Sequence, residues 1–331
     1  MKTKLQHIGE QLLPVIAYGD AAGLPVETRS AEEIADLYGY VDSLLLTDDN
    51  PYFSGVYEPG MWSDDTQLSM AIIRGLIRAH DFSLEMIADE HVREYKDTPT
   101  VMRKGRLRRR GWGKGTEESI HRVMSGMSPY KSGSPISTGN GVIMKLAPLA
   151  YWQYAQGVED RVRHDQYDQL TSMTHDTDIA RICTRVHGDA LCRTLDTGSV
   201  FELGDFVLSR ALDHEEVFGG ANTDTSDALS YLANSEPSRE DILEKTDAKG
   251  FYVPQTLAMV YGNVIVNTGN FANVVYGAVN LGGDTDSIAS VSGAIELFAQ
   301  SEVALPDDAE LLVNLSELQQ LSRRFSLLAI N

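Results

Sequence analysis

The stretch AVNLGGDTDSIASVSGAIELF, residues 278–298, sets two glycines and two aspartates, Asp284 and Asp286, directly ahead of apolar residues at helical spacing: Ile288, Val291, Ala294, Ile295 and Phe298. This pattern predicts a helix that begins at the aspartates. An aspartate at a helix N-cap accepts a backbone N–H, and further carboxylates in the first turn are stabilised by the positive end of the helix dipole. Taken alone, the stretch needs no other explanation than capping.

The chain, however, repeats the arrangement. MWSDDTQLSMAIIRGL, residues 61–76, places Ser63, Asp64, Asp65 and Thr66 ahead of a second helical run that includes Leu68, Ala71, Ile72, Gly75 and Leu76. Each segment couples an acidic pair to a hydroxyl, Ser63 with Asp64 and Asp65, and Ser287 with Asp284 and Asp286. Carboxylate, hydroxyl and water are hard oxygen ligands that select Mg²⁺, Mn²⁺ or Ca²⁺ over zinc or copper. Four carboxylates meeting in a partly buried cleft would repel strongly, and two divalent ions would offset that charge. Small residues along both helices, Ala289, Ser290, Ser292 and Gly293 in one, Ser69, Ala71 and Gly75 in the other, suit close backbone approach.

The rest of the chain sets the frame. The 331 residues carry a formal net charge of -20, with 42% hydrophobic residues, three Trp, 14 Tyr and nine Phe. That is the composition of a folded globule rather than of a disordered acidic chain. The acidic balance argues against general binding to nucleic acid or to an anionic membrane. Nothing at the N-terminus reads as a signal peptide, and no stretch of some 18 apolar residues is present, so a cytoplasmic setting is the default expectation. Cys183 and Cys192 lie nine positions apart in one predicted helix, on opposite faces and out of disulfide reach.

Helical spacing recurs near 4–17, 84–96, 140–156, 177–193, 200–212, 255–267, 270–280 and 308–320, while strand-like alternation is scarce. The expected fold class is therefore all-α, one multi-helix domain over 1–331. Two loops stand out: the basic RKGRLRRRGWGKG at 103–115, read as solvated surface, and the Ser/Gly/Pro-rich 125–141.

Five segments in a fixed order now carry a resemblance: GDAAGLPVE (19–27), WSDDTQ (62–67), STGNGVIMKLAPLA (137–150), MTHDTDIA (173–180) and NLGGDTDSIASVSGAI (280–295). In this series the chain resembles the ADP-ribosylglycohydrolase family, which includes dinitrogenase-reductase-activating glycohydrolases and ADP-ribosyl-acceptor hydrolases. The resemblance implies a compact all-helical fold with a cleft that holds two Mg²⁺ or Mn²⁺ ions and receives ADP-ribose. By position in the motifs, Ser63, Asp64, Asp65, Asp284, Asp286 and Ser287 match the family's metal ligands, with serine in place of threonine at both hydroxyl positions. Gly139, Asn140 and Gly141 match its glycine-rich turn beside the pyrophosphate, and His175 its histidine near the distal ribose or phosphates. Lys145 stands where an arginine is often found, and Pro148 reads as a kink in the following helix.

The implied activity is metal-dependent hydrolysis of the glycosidic bond at ribose C1″ of an ADP-ribosylated protein or small-molecule conjugate. Asp65 or Glu27 is the candidate general base, and the choice between them is open at this level. No nucleophile signature such as G-x-S-x-G is present. Two other readings compete: a Mg²⁺-dependent phosphoryl-transfer enzyme with Asp284 in a DTDS loop after a β-strand, and a non-catalytic ADP-ribose-binding or structural module on the same scaffold.

Overall fold

The computed structural model describes residues 2–47, 57–103, 106–233 and 236–330. The expected all-α class holds: fifteen α-helices carry the described chain. In chain order they are α1 (Lys2–Gly23), α2 (Ala31–Tyr38), α3 (Asp64–Ala79), α4 (Leu84–Asp97), α5 (Lys114–Met124), α6 (Ala147–Ala155), α7 (Asp160–Thr174) and α8 (Asp178–Thr197). They continue with α9 (Leu203–Val217), α10 (Asp224–Leu229), α11 (Arg239–Lys245), α12 (Val253–Asn267), α13 (Phe271–Val279), α14 (Thr285–Gln300) and α15 (Leu315–Ala329). Among the described residues the one pair of strands is a short antiparallel hairpin, Thr100–Arg103 with Arg106–Arg109, which overlaps the start of the basic stretch 103–115 that sequence reading leaves as a loop.

Two helices, α1 and α14, form the centre. Every residue of α14 from Thr285 to Ala299 is buried, and so is α1 from Leu12 to Gly23. A helix buried on all sides must reach its neighbours with small side chains, and the contact between this pair is the most extensive in the fold. Gly19 and Gly23, one turn apart on α1, make it possible. A Cβ at Gly19 would lie 2.6 Å from the Ala289 carbonyl oxygen, and one at Gly23 would lie 2.3 Å from the Asp286 backbone nitrogen. The Thr285 hydroxyl donates to the Gly23 carbonyl oxygen at 2.8 Å across this seam. α15 packs along α1, and α12 and α13 against α14, so one hydrophobic cluster runs from Leu5 to Ala329.

Several expected boundaries shift. The 140–156 segment is not one helix: a 3-10 turn at Ile143–Lys145 precedes α6, and Pro148 is the second residue of α6 rather than a kink within it. A proline's missing N–H costs nothing in a first helical turn, which is why it sits there. The 308–320 segment becomes a 3-10 turn, Asp307–Leu311, followed by α15. The helix expected at 200–212 begins later, at Leu203. α7 escapes sequence reading because its run, DRVRHDQYDQLTSMT, is mostly polar and buries only its C-terminal half, from Tyr167 on. Cys183 and Cys192 are both buried, free and on α8. Among the described residues no helix is long and apolar enough to cross a membrane.

The Gly19/Gly23 seam predicts its own test. Gly23→Ala forces a Cβ into the first turn of α14 and is expected to cost about 1–3 kcal/mol of stability, the usual range for overpacking a tight core. Urea denaturation measures it, and an unchanged midpoint would refute the close contact.

Candidate metal-binding cleft

The two acidic helix starts meet. The Ser287 hydroxyl donates to Asp65 Oδ2 at 3.2 Å and the Ser63 hydroxyl lies 3.4 Å from Asp286 Oδ2, each pair more than 220 positions apart in the chain, while the same Ser63 hydroxyl is also 3.4 Å from its near neighbour Asp65 Oδ2. The capping explanation fits α3, where Ser63 is the N-cap and its side chain accepts from the Asp65 N–H. It fails for α14. Asp284 occupies the N-cap position but makes no side-chain cap bond there; its Oδ2 instead accepts from the Asn140 amide at 2.6 Å.

The backbone around Asp284 is pinned by neighbours that leave it little freedom. Gly282 and Gly283 adopt φ of 77° and 80°, in the left-handed region that favours glycine. In that conformation the Gly283 N–H donates to the Arg29 carbonyl at 2.8 Å and the Asp284 N–H to the Lys249 carbonyl at 2.7 Å. Asn140 donates to the Gly250 carbonyl as well as to Asp284, tying the glycine-rich turn to the same loop. Isolated bridges at Ser30–Gly282, Ser134–His175 and Gly139–Tyr252 close the ring of loops.

These segments surround a cavity of about 660 Å³. Its wall includes Asp64, Asp65, Asp284, Asp286 and Ser287 at the base, Glu27 beside them, and Gly139, Asn140, Gly141 and His175 on one side. A carboxylate oxygen of Glu27 lies within 4.8 Å of one from Asp284 and one from Asp286. Every sequence-derived site residue thus lines the cavity or, for Ser63, bonds directly to a residue that does.

Burial dominates the electrostatics. Desolvation, reinforced by the charge of Asp286, pushes the Asp20 carboxyl to about 7 and that of Asp64 to about 8. The same two causes hold Asp65 and Asp284 well above the ordinary 3.8, and burial raises Asp286 too. Asp65 Oδ1 and Asp286 Oδ1 are buried and accept no hydrogen bond. Native proteins seldom leave such oxygens unsatisfied, and here two stand beside two serine hydroxyls in an otherwise all-oxygen set. That donor set suits divalent magnesium or manganese, so the residues fit the ions expected from the sequence. Burial also lowers the His175 imidazole to about 3, with Lys145 the secondary cause, so His175 is neutral at physiological pH. It forms a 2.9 Å hydrogen bond through Nδ1 with the Thr174 hydroxyl.

Some features were not legible beforehand. Asp20, inside the first motif but given no role, accepts from the Ser63 N–H at 2.8 Å, the Thr66 N–H at 3.0 Å and the Thr66 hydroxyl at 2.7 Å. It therefore orients the start of α3 from α1. Its signal was present as a lone acid in the apolar run VIAYGDAAG. The end of the basic stretch, read as solvated surface, is a correction: Gly111, Trp112, Gly113, Lys114 and Gly115 line the cavity. Trp112 is held there by its Nε1, which donates to Gln67 Oε1 at 2.7 Å. Lys145, weighed as a phosphate contact, is fully buried, and its ammonium donates no bond; burial draws its pKa down to about 7 against the pull of Asp64. The phosphoryl-transfer reading loses its premise, because the segment ahead of Asp284 is the helix α13 and not a strand.

A pH consequence follows. The folded pKa values of Asp20 and Asp64 exceed the unfolded 3.8, so their stabilising contribution is complete below about 3.8 and is lost as pH rises through about 7 and about 8. In chelator the thermal midpoint should decline across that window. Millimolar Mg²⁺ should oppose the decline, so the gap between melts with and without Mg²⁺ widens with pH; a constant gap would contradict the assignment.

Known proteins with similar sequences or structures bear on this cleft. The family model described as ADP-ribosylglycohydrolase matches residues 15–328. An uncharacterized protein of Archaeoglobus fulgidus is 26% identical over 292 residues, covering 85% of this chain and 84% of its own length. The ADP-ribosylarginine hydrolase Tri1 of Serratia proteamaculans is 21% identical over 296 residues, covering 88% of this chain and 71% of its own. The Tri1 of Pseudomonas putida is 22% identical over 285 residues, covering 85% and 67%. A solved ADP-ribosylglycohydrolase-related protein complex contains a chain that superposes with a TM-score of 0.71 at 21% identity, over 99% of both chains, which shows a shared fold.

Proposed function

This chain belongs to the ADP-ribosylglycohydrolase family, and from that premise we propose that it is a divalent-metal-dependent hydrolase releasing ADP-ribose from modified arginine side chains. The observation that carries the metal part is the pair of buried, unsatisfied oxygens, Asp65 Oδ1 and Asp286 Oδ1, contributed by two helix starts distant in sequence. The choice of arginine as acceptor rests on the two relatives named ADP-ribosylarginine hydrolases.

In this reading Ser63, Asp64, Asp65, Asp284, Asp286 and Ser287 hold the ions. When bound, two divalent cations supply electrophilic charge that orients substrate oxygens and makes water more acidic. The remaining chemistry belongs to the chain. Glu27 is the proton acceptor in preference to Asp65, because Asp65 is 1% exposed and already accepts the Ser287 hydroxyl, whereas Glu27 is partly exposed on the cavity wall. As the water oxygen bonds to C1″, the C1″–N bond breaks, Glu27 takes the water's proton, and the departing guanidine leaves with the bond's electron pair and is protonated by solvent. The positive charge that develops on the ribose ring is stabilised by the surrounding carboxylates.

Recognition falls to the other wall. Gly141 lets the His175 imidazole pack against the turn, where a Cβ would lie 2.8 Å from Cε1, and the backbone N–H groups of this glycine-rich turn are what would meet a diphosphate. His175, being neutral, offers a hydrogen bond without adding charge. Asn140 acts as a positioning residue, since both of its bonds hold the Asp284 loop.

Alanine at Asp64 or Asp286 is expected to abolish release of ADP-ribose from ADP-ribosylarginine while leaving the far-ultraviolet helical spectrum nearly unchanged. Glu27→Gln should lower kcat by about 10²–10⁴-fold, the usual worth of a general base. Mg²⁺ binding, followed by calorimetry, should survive that change. Full turnover by Glu27→Gln would remove Glu27 from the mechanism, and full turnover by both aspartate variants would remove the metal reading altogether.

A further inference from the structure

A second polar cluster lies away from the cleft, where α7, α8 and α9 converge. His164 from α7 places Nε2 2.8 Å from Asp189 Oδ1, and His214 from α9 places Nε2 2.9 Å from Asp189 Oδ2, with Asp189 itself on α8. The two imidazoles meet edge-to-face at 4.9 Å between centroids, and ligand atoms from all three residues lie within 4.8 Å of one another. His164 is 11 positions before His175 on a helix rising about 1.5 Å per residue, so the cluster stands about 16 Å along α7 from the cavity wall.

We propose that His164, Asp189 and His214 form a site for one borderline divalent ion of the zinc type, distinct from the cleft. Two imidazole nitrogens and a carboxylate oxygen are the donor set that zinc and its neighbours prefer, in contrast to the all-oxygen set of the cleft. Ligand bonds of about 2.0–2.1 Å in a tetrahedral arrangement place donor atoms about 3.3 Å apart, so each imidazole need retreat from Asp189 by only about half an ångström. Each neutral ring then turns its Nε2 lone pair to the ion and carries its single proton on Nδ1.

The surroundings of the cluster suit a bound cation. Arg210 Nε donates to Asp189 Oδ2 at 3.0 Å and fixes the carboxylate's orientation, as partners of metal-binding carboxylates commonly do. The far end of that guanidinium is bound to Asp213 at 2.8 Å, which offsets its charge. His214 is buried at 2% exposure, and burial lowers its pKa, which favours the unprotonated ring; the His164 side chain, at 16%, leaves a route and a fourth position open to solvent. An ion here would clamp the bodies of α7, α8 and α9; α7 leads into His175, which lines the cleft, and Thr177 at the start of α8 donates to the carbonyl of Ser137, another lining residue.

The test uses the full chain, stripped with chelator and then dialysed against Zn²⁺ or Co²⁺ in excess Mg²⁺, and it reads no ADP-ribose turnover, so its outcome is separate from that of the proposed hydrolase activity. The wild type should retain one zinc by elemental analysis, and cobalt should give the intense visible band of a four-coordinate site. His164→Gln and His214→Gln should lose that zinc, or bind it about tenfold or more weakly, and lose the cobalt band, whereas Asp286→Asn in the cleft should keep both. Should His214→Gln not fold, His164→Gln at the exposed edge and the wild-type cobalt spectrum decide. Equal zinc uptake by wild type and His164→Gln, or no uptake by wild type, overturns the site and leaves Asp189 as a hydrogen-bonded hub only.

Discussion

The approach of α1 to α14 is the constraint on which the site depends. Gly19 and Gly23 let the two backbones touch, and their side-chain-free surface lies against the first two turns of α14, residues 285–290. Asp20 lies between these glycines in the chain and points the other way, to the N-terminus of α3, where it takes two backbone N–H groups and a threonine hydroxyl. One helix thus holds both acidic helix starts, one through van der Waals contact and the other through a buried carboxylate. Bulk on the first contact or loss of the second would separate Ser63 from Asp286.

Bringing Asp20, Asp64, Asp65, Asp284 and Asp286 out of water together is unfavourable for the empty protein, as their uniformly raised pKa values record. The fold offsets this repulsion with the positive ends of α3 and α14, whose first turns carry Asp64, Asp65 and Asp286, and with the Asn140 amide on Asp284. These are partial charges. Of the whole positive charges nearby, Lys145 is buried with its pKa lowered to about 7, Arg110 acts on Asp20, and Lys114 lines the cavity. In the proposed function, divalent cations would supply the remaining charge, and the repulsion among the carboxylates of the empty cleft is what would favour their binding. The His164–Asp189–His214 cluster follows a different logic, in which one carboxylate is already matched by an arginine and two imidazoles.

Much of this was legible in the sequence. The duplicated pairing of acids with a hydroxyl before a small-residue helix marked Ser63, Asp64, Asp65, Asp284, Asp286 and Ser287, and the ordered motifs added Glu27, Gly139, Asn140, Gly141 and His175; all come together around one cavity. Other features had no local signature. Trp112 and its flanking glycines lie in a stretch whose charge reads as solvent-facing, yet Gln67 on α3 draws the tryptophan inward. Asp284 sits at a cap position but spends its carboxylate on Asn140, 144 positions away, which no helix-start rule anticipates. α7 is polar along most of its length and is held in place by neighbours rather than by its own amphipathic stripe.

Sequence by itself determined the helical class, the chemical nature of the donors and the small residues that permit close packing, because each follows from side-chain type and local spacing. Tertiary structure alone decided that the two helix starts share one cleft, that Asp20 serves as the strut between them, and that Lys145 is fully buried with no hydrogen-bond partner for its Nζ. Those outcomes depend on which buried backbone and polar groups find partners across hundreds of residues, and satisfaction of that kind is a property of the packed globule, not of any segment within it.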